Sequence, residues 1–400
     1  MTRVLHLVTH LTRGGIESWL LNMLAGIPRQ ECVQDVCAKG SSLGPRAGEA
    51  RAAGATLYHC PMGPAHLPFG RRLREILISG RYDILHNHLE VYSGYPVRVA
   101  RSCGTTVITS FHNTHFEPQE AWARKPVLGQ LRTLYRRASI AYALRRSDLV
   151  TGCSQRVLDE LDPNGRLARQ ARSRVLYYGV AEPEPPAEAA RSEFRASLGL
   201  DENARLVLHV GRFLPQKNHA GLLRIFAEIR RFVPDARLLL VGDGPLRLSM
   251  EALAAREGLT PFVRFLGVRD DVPAFMACSD VFLFPSRYEG FGLVILEANA
   301  AGLPVVAARV AGISEAVEEN RTGLLYESGD AEGAARSVVR ILTNPSLGIE
   351  LSREGRRIVR EKFSIPASAR RLLQCYADVR AARQRSPAPL GDEKVTRCAF

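Results

Sequence analysis

The sequence predicts an α/β chain built from two Rossmann-like, doubly wound domains that face each other across a cleft. Three observations lead there. Short apolar runs alternate with longer helical patterns, the mark of parallel α/β architecture. The alternation occurs twice, on either side of a segment at residues 181–188 that is rich in Pro and Glu. Every motif bearing Gly, His or paired charges follows directly on a strand candidate, where parallel sheets bind their ligands.

In the first half the strand candidates are residues 4–8, 34–38, 84–86, 106–110, 149–151 and 175–177, with helical stretches such as 16–25 and 129–145 between them. Proline breaks both helix and strand, so residues 181–200 are read as a linker between a first domain, 1–180, and a second, 201–365. The second series has strand candidates at 206–210, 237–241, 263–265, 281–284, 304–307 and 323–326, and helices at 220–232, 246–257 and 293–301. A last helical pattern covers 366–383, and the polar tail 385–400 is expected to be disordered.

Composition agrees with this size and class. A chain of 400 residues is long enough for two real cores. With 46% hydrophobic and 24% charged residues, whole-chain disorder is excluded. The formal net charge of +13 suggests anionic partners. No dense Lys and Arg run with interleaved aromatics occurs, so nucleic acid is not expected among them. The eight cysteines are scattered and form no Cys-x-x-Cys pair, unlike a disulfide framework or a zinc site. A reducing, cytoplasmic location is the expectation. No leader pattern and no run of about 18 apolar residues is present, so any membrane role is expected at the surface.

Five motifs carry the chemistry. Gly14-Gly15 follows the first strand and opens a helix; paired glycines allow a tight turn, and the helix start offers amides to an anion. A bare strand-to-helix turn explains it equally well. His86-Asn87-His88 and His112-Asn113-Thr114-His115 follow the third and fourth strand candidates. No metal is expected, because nothing supplies the ligand spacing of a known zinc site. A neutral imidazole at His112 could bond a sugar hydroxyl or polarise a leaving group, whereas His86 and His88 read as structural. Gly211-Arg212 through Lys217-Asn218 sets two cations on one loop, where they can stabilise a departing diphosphate; a solvated surface loop explains it equally well. Val241-Gly242-Asp243-Gly244 is a glycine turn that would let backbone approach a nucleotide, or a plain turn.

The fifth motif is the most specific: Glu289-Gly290-Phe291-Gly292-Leu293, then Glu297 on an apolar helix. Amides of Phe291 to Leu293 can face phosphate or sugar. Glu289 can accept from sugar hydroxyls and Glu297 from a ribose diol; a local salt bridge is the other reading of Glu297. No Asp-x-Asp occurs that could hold a divalent ion on a diphosphate.

In combination these residues resemble glycosyltransferase family 4 of the GT-B fold, over roughly residues 1 to 380. Glu289 to Glu297 is similar to its Glu-x7-Glu motif, Gly211 to Asn218 to its phosphate loop, Gly14-Gly15 to its glycine loop and His112 to its active-site histidine. The opening residues are most similar to enzymes of exopolysaccharide and capsule assembly. The resemblance implies a retaining transfer from a nucleotide diphosphate sugar, UDP by family frequency, to a polysaccharide, lipid-linked or other cell-envelope acceptor. It implies that the second domain binds the donor and the first the acceptor, and that helix 366–383 crosses back. Arg212 and Lys217 would hold the diphosphate in place of a metal, Glu289 and His112 the donor sugar, and Glu297 the ribose. The segment Tyr177-Tyr178-Gly179-Val180 departs from the family, which commonly has Asn before Gly-Val.

Two other readings fit the same architecture: a sugar-nucleotide epimerase, and a non-catalytic nucleotide- or glycan-binding protein. Arg132, Arg136, Arg137, Arg145 and Arg146 share a helical stretch with Leu131, Leu134, Ile140 and Leu144. That stretch is either a solvated helix or one that rests on an anionic membrane surface.

Overall fold

A computed structural model describes residues 1–63, 66–114, 126–201 and 203–385. His115 and the tail beyond residue 385 lie outside the described residues; Arg385 itself ends the last helix, Ile365–Arg385.

Thirteen strands form two wholly parallel sheets among the described residues. The first contains β1 (Thr2–Val8), β2 (Cys32–Ala38), β3 (Leu57–His59), β4 (Ile84–Asn87), β5 (Thr106–Phe111), β6 (Leu149–Gly152) and β7 (Ser173–Val175), in the order β3-β2-β1-β4-β5-β6-β7. The second contains β8 (Arg205–Val210), β9 (Ala236–Val241), β10 (Val263–Gly267), β11 (Val281–Phe284), β12 (Val305–Ala308) and β13 (Gly323–Tyr326), in the order β10-β9-β8-β11-β12-β13. Central strands such as β2, β5, β11 and β12 are buried along their whole length, because helices cover both faces. Each sheet reverses its winding once, between β1 and β4 and between β8 and β11. Such a switch point leaves a crevice at the carboxyl ends of the strands.

The structure differs from the sequence reading in three places. The strand expected at 175–177 ends at Val175. Tyr177 and Tyr178 turn away because their rings are used elsewhere: Tyr177 packs 5.3 Å from Phe291 and 5.5 Å from Phe363. The edge strand β3 was not anticipated, since three half-exposed residues give no periodic signal. Half of the expected linker is helical: Glu188–Ser197 packs Phe194 edge-on against Phe275, 4.9 Å away, and buries Arg195 beside Asp280.

The last helix, Ile365–Arg385, leaves the second sheet's helices and packs on the first sheet. Trp19 Nε1 donates to Ser368 Oγ at 3.1 Å, Arg380 bonds Thr2, and Arg174 pairs with Asp378 at 2.7 Å. One continuous apolar cluster runs from Trp19 and Tyr178 through Phe291 and Leu293 to Tyr376, so the two units share a core at the cleft floor. No helix among the described residues is long and apolar enough to cross a membrane.

Candidate functional site at the interdomain cleft

The loops that leave the two switch points meet. Gly15, which opens helix Gly15–Gly26, lies against Leu293, which opens helix Leu293–Ala301. Gly290 sits on the carbonyl of His112, where a Cβ would approach within 1.9 Å, so no larger residue fits. Ser154 Oγ donates to the Gly290 carbonyl at 2.6 Å. Glu315 accepts the amides of Gln155 and Arg156 at 2.8 Å each, and Arg13 pairs with Asp270 at 2.5 Å. The Gly14-Gly15 turn, the loop at Gly290 to Leu293 and the backbone of His112 therefore meet.

On the second-domain wall the phosphate-type loop follows β8. Gly242 (φ +135°) packs so closely on it that a Cβ would meet the Gly211 carbonyl at 2.1 Å. Only glycine fits a left-handed residue under that loop. Lys217 Nζ pairs with Glu289 Oε1 at 2.6 Å and lies 4.6 Å over the Phe284 ring. Arg212 is exposed, on the same loop. Gly292 starts helix Leu293–Ala301 in the left-handed region (φ +83°), and no side chain caps that end. Its first amides therefore remain available to an anion. Glu297, on the first turns of this helix, is held up to about 7 by burial, with Arg46 of the first domain opposing the shift.

The glycine loop of the first domain is built differently. Glu17 curls back so that its carboxylate would lie 2.3 Å from a Cβ on Gly14. Burial raises its pKa, while its own amide and the Thr12 hydroxyl bond it. The Glu17 carboxylate thus lies beside Gly14 at the helix end.

The histidines form a string. His6 on β1 and His86 on β4 are register partners. Gln34 Oε1 meets His6 Nε2 at 3.0 Å, His6 Nδ1 meets His88 Nε2 at 3.1 Å, His88 Nδ1 meets His112 Nε2 at 3.1 Å, and His112 Nδ1 meets Tyr178 Oη at 2.8 Å. His86 is bonded to Tyr376 Oη at 2.9 Å and to Ser110 Oγ at 2.7 Å. Burial holds His112 down at about 3 and His6 at about 4, and puts His86 and His88 well below the ordinary range. All four imidazoles are neutral at physiological pH. His6, His86 and His88 lie close enough together to suggest a metal centre, but their ring nitrogens are engaged in this hydrogen-bonded chain.

His112, the histidine expected to meet the donor sugar or a leaving group, has both ring nitrogens bonded inside the first domain, and its carbonyl faces Gly290 and the Cys153 thiol. Sequence reasoning missed Glu90. Its carboxylate accepts the amides of His112 and Asn113 at 3.0 Å each, and burial raises it to about 7. The positive φ of Glu90 (48°) carried no sequence signal.

The helix Pro126–Arg146 divides its apolar set. Leu131 and Leu134 are 59% and 66% exposed, whereas Ile140 and Leu144 pack on the core. Arg132 bonds the Tyr92 hydroxyl.

Two facing parallel doubly wound sheets with a cleft between them define the GT-B architecture. Comparison with known proteins agrees. Residues 13–182 match the Glycosyltransferase Family 4 profile and residues 190–358 the Glycosyl transferases group 1 profile. The chain belongs to this glycosyltransferase family. It is 28% identical over 319 residues to N-acetyl-alpha-D-glucosaminyl L-malate synthase of Bacillus anthracis, covering 79% of this chain and 80% of that one. It is 36% identical over 183 residues to the lipopolysaccharide core biosynthesis glycosyltransferase LpsE of Rhizobium meliloti (strain 1021), covering 46% of this chain and 53% of that one. Its fold superposes with a TM-score of 0.80 on Anabaena Alr3699/HepE in complex with UDP-glucose, at 21% identity, over 94% of this chain and all of that one.

Proposed function

We propose that this glycosyltransferase is retaining and metal-independent, and that it moves a sugar from a nucleotide diphosphate to a polysaccharide, lipid-linked or other cell-envelope acceptor. The observation that carries the reading is the second-domain wall. Arg212, the Lys217–Glu289 pair and the uncapped start of helix Leu293–Ala301 sit on neighbouring loops. Together they offer fixed positive charge to a departing diphosphate, which is where transition-state charge grows. Gly211 and Gly242 let that backbone come close, and the amides of Gly290, Phe291, Gly292 and Leu293 follow it. Glu297 is placed to accept from a ribose diol, and Glu289 from the donor sugar. Gly14 and Gly15 close the cleft opposite.

His112 is read as contacting the donor sugar near the reacting centre, and its carbonyl shapes the wall against which Gly290 rests. UDP is the nucleotide favoured by the complexed HepE structure. A cell-envelope acceptor is favoured by the likeness to LpsE. Same-face attack, with the leaving phosphate accepting the acceptor's proton, would preserve the anomeric configuration. The exposed Leu131 and Leu134, beside Arg136, Arg137, Arg145 and Arg146, give helix Pro126–Arg146 the chemistry of an anionic membrane contact at the cytoplasmic face.

Calorimetry with UDP, GDP and ADP in EDTA tests the donor side. One of them should bind without metal, and no binding by any would sink the reading. Proton NMR of the product tests retention: an inverted anomeric signal excludes it. Sedimentation with acidic vesicles tests the membrane contact, which predicts recovery in the pellet that exceeds recovery with neutral vesicles.

A further inference from the structure

A cavity of about 280 Å³ opens at the cleft mouth, lined by both domains. Its first-domain side is Thr114 and helix Gln155–Leu161; its second-domain side is the loop Arg287-Tyr288-Glu289 with Val310 and Ala311. Four charged side chains line it. Three are compensated in place. Arg156 Nε pairs with Glu160 Oε1 at 2.6 Å, and the Thr114 hydroxyl donates to the other Glu160 oxygen. Glu289 is compensated from behind by Lys217 at 2.6 Å. The fourth, Arg287, has no ion-pair partner among the described residues; only its amide is held, by the Gln216 carbonyl at 2.8 Å. It is an exposed guanidinium at the mouth of an otherwise neutral cavity, two residues from Glu289.

We propose that this cavity receives the acceptor and that Arg287 selects one carrying an anionic oxygen group, a phosphate or a carboxylate, next to the sugar. The inference rests on the transfer reading above and adds the acceptor's charge to it. The planar fork of an arginine matches either group with two parallel hydrogen bonds, which a neutral hydroxyl cannot supply. The other lining charges are already neutralised, so they neither compete for Arg287 nor repel the incoming anion. Because both domains wall the cavity, an acceptor held there lies beside the residue that would contact the donor sugar. The small volume suits the terminal residue of an acceptor rather than a length of polymer.

The test measures binding of glucose 1-phosphate, glucuronic acid and methyl α-glucoside to the enzyme saturated with UDP, so that the diphosphate site is filled. At least one anionic sugar should bind tenfold or more tightly than the neutral one. Arg287→Gln should level the three, and Arg287→Lys should keep part of the preference, with the melting temperature and UDP affinity unchanged in both. Preference for the phosphate alone or the carboxylate alone identifies the group. Equal binding of all three, no binding of either anion, or a preference that survives Arg287→Gln overturns the proposal. So does a tenfold loss of UDP affinity in Arg287→Gln, which would move the residue to the donor side. Failure of the wild type to bind UDP, GDP or ADP would instead strike the transfer reading, and this inference with it.

Discussion

The two walls of the cleft use polar residues in opposite ways. On the first-domain wall the polar groups bond one another: Gln34, His6, His88, His112 and Tyr178 form a buried, uncharged string. On the second-domain wall charge is kept and left partly open: Arg212 is exposed, Lys217 is paired with Glu289, and Glu297 is half-buried with no bonded partner of opposite charge among the described residues. A buried network that satisfies itself gives rigidity. Fixed charge with room in front of it gives binding. The difference teaches that the first wall is rigid and uncharged, whereas the second carries the open charge on which the proposed donor site depends.

The contrast can be broken most sharply by acid. The imidazoles of the string have folded pKa values below the ordinary value, about 4 for His6 and about 3 for His112. Their contribution to stability is full above about pH 6.5 and drains as pH falls, because the unfolded chain takes up protons first. Taken alone, His6 and His112 would lose on the order of 5 kcal/mol between pH 7 and 4.5, while the raised carboxyls of Glu90 and Glu297 act in the opposite direction over the same range. Denaturant midpoints measured across that range in a Glu90→Gln, Glu297→Gln variant, which removes the opposing carboxyls, check it; a flat profile there would mean the string is not buried and neutral.

Next in size is the second wall. Arg212→Ala and Lys217→Ala should each lower kcat about a hundredfold, or about 3 kcal/mol in the transition state. Arg212→Ala should leave the melting temperature alone, since the side chain is exposed. Undiminished turnover in both variants would remove the charge from the mechanism. His88→Ala is the matched change on the first wall. It strands His6 and His112 and should cost about 2 kcal/mol of folding stability, with nucleotide affinity within twofold of wild type. A large loss of nucleotide affinity would show that the string reaches the donor.

The smallest effect concerns Glu297. Its folded pKa, about 7, lies above the ordinary carboxyl value, so burial penalises its ionised form. Stability is full below about pH 4.5 and declines as pH rises through 7. Glu297→Gln should therefore stabilise the unliganded enzyme at pH 8 and leave it unchanged at pH 4.5. Thermal melts at the two pH values decide it.

The sheet order follows from features the sequence displays: repeated apolar runs, and glycine turns after them. The site residues of the second domain were legible for the same reason, since Gly242 and Gly292 mark places where backbone must turn left-handed and come close. The histidines were visible as residues but not as a string, because His6, His88 and His112 are brought together by sheet register, not by spacing along the chain. Tyr178 and Tyr376 were invisible in the same way: their hydroxyls meet partners 66 and 290 residues away. Glu90 was hidden by its backbone, which adopts a left-handed conformation without a glycine to announce it.

Tyr376 has one more consequence. It fills the first domain's core and bonds His86, yet it is made just over 200 residues after β7 closes that domain's sheet. During synthesis on the ribosome the nascent first half must wait, with a gap beside β4, until the rest of the protein has emerged. Folding of this enzyme is thus completed from its far end.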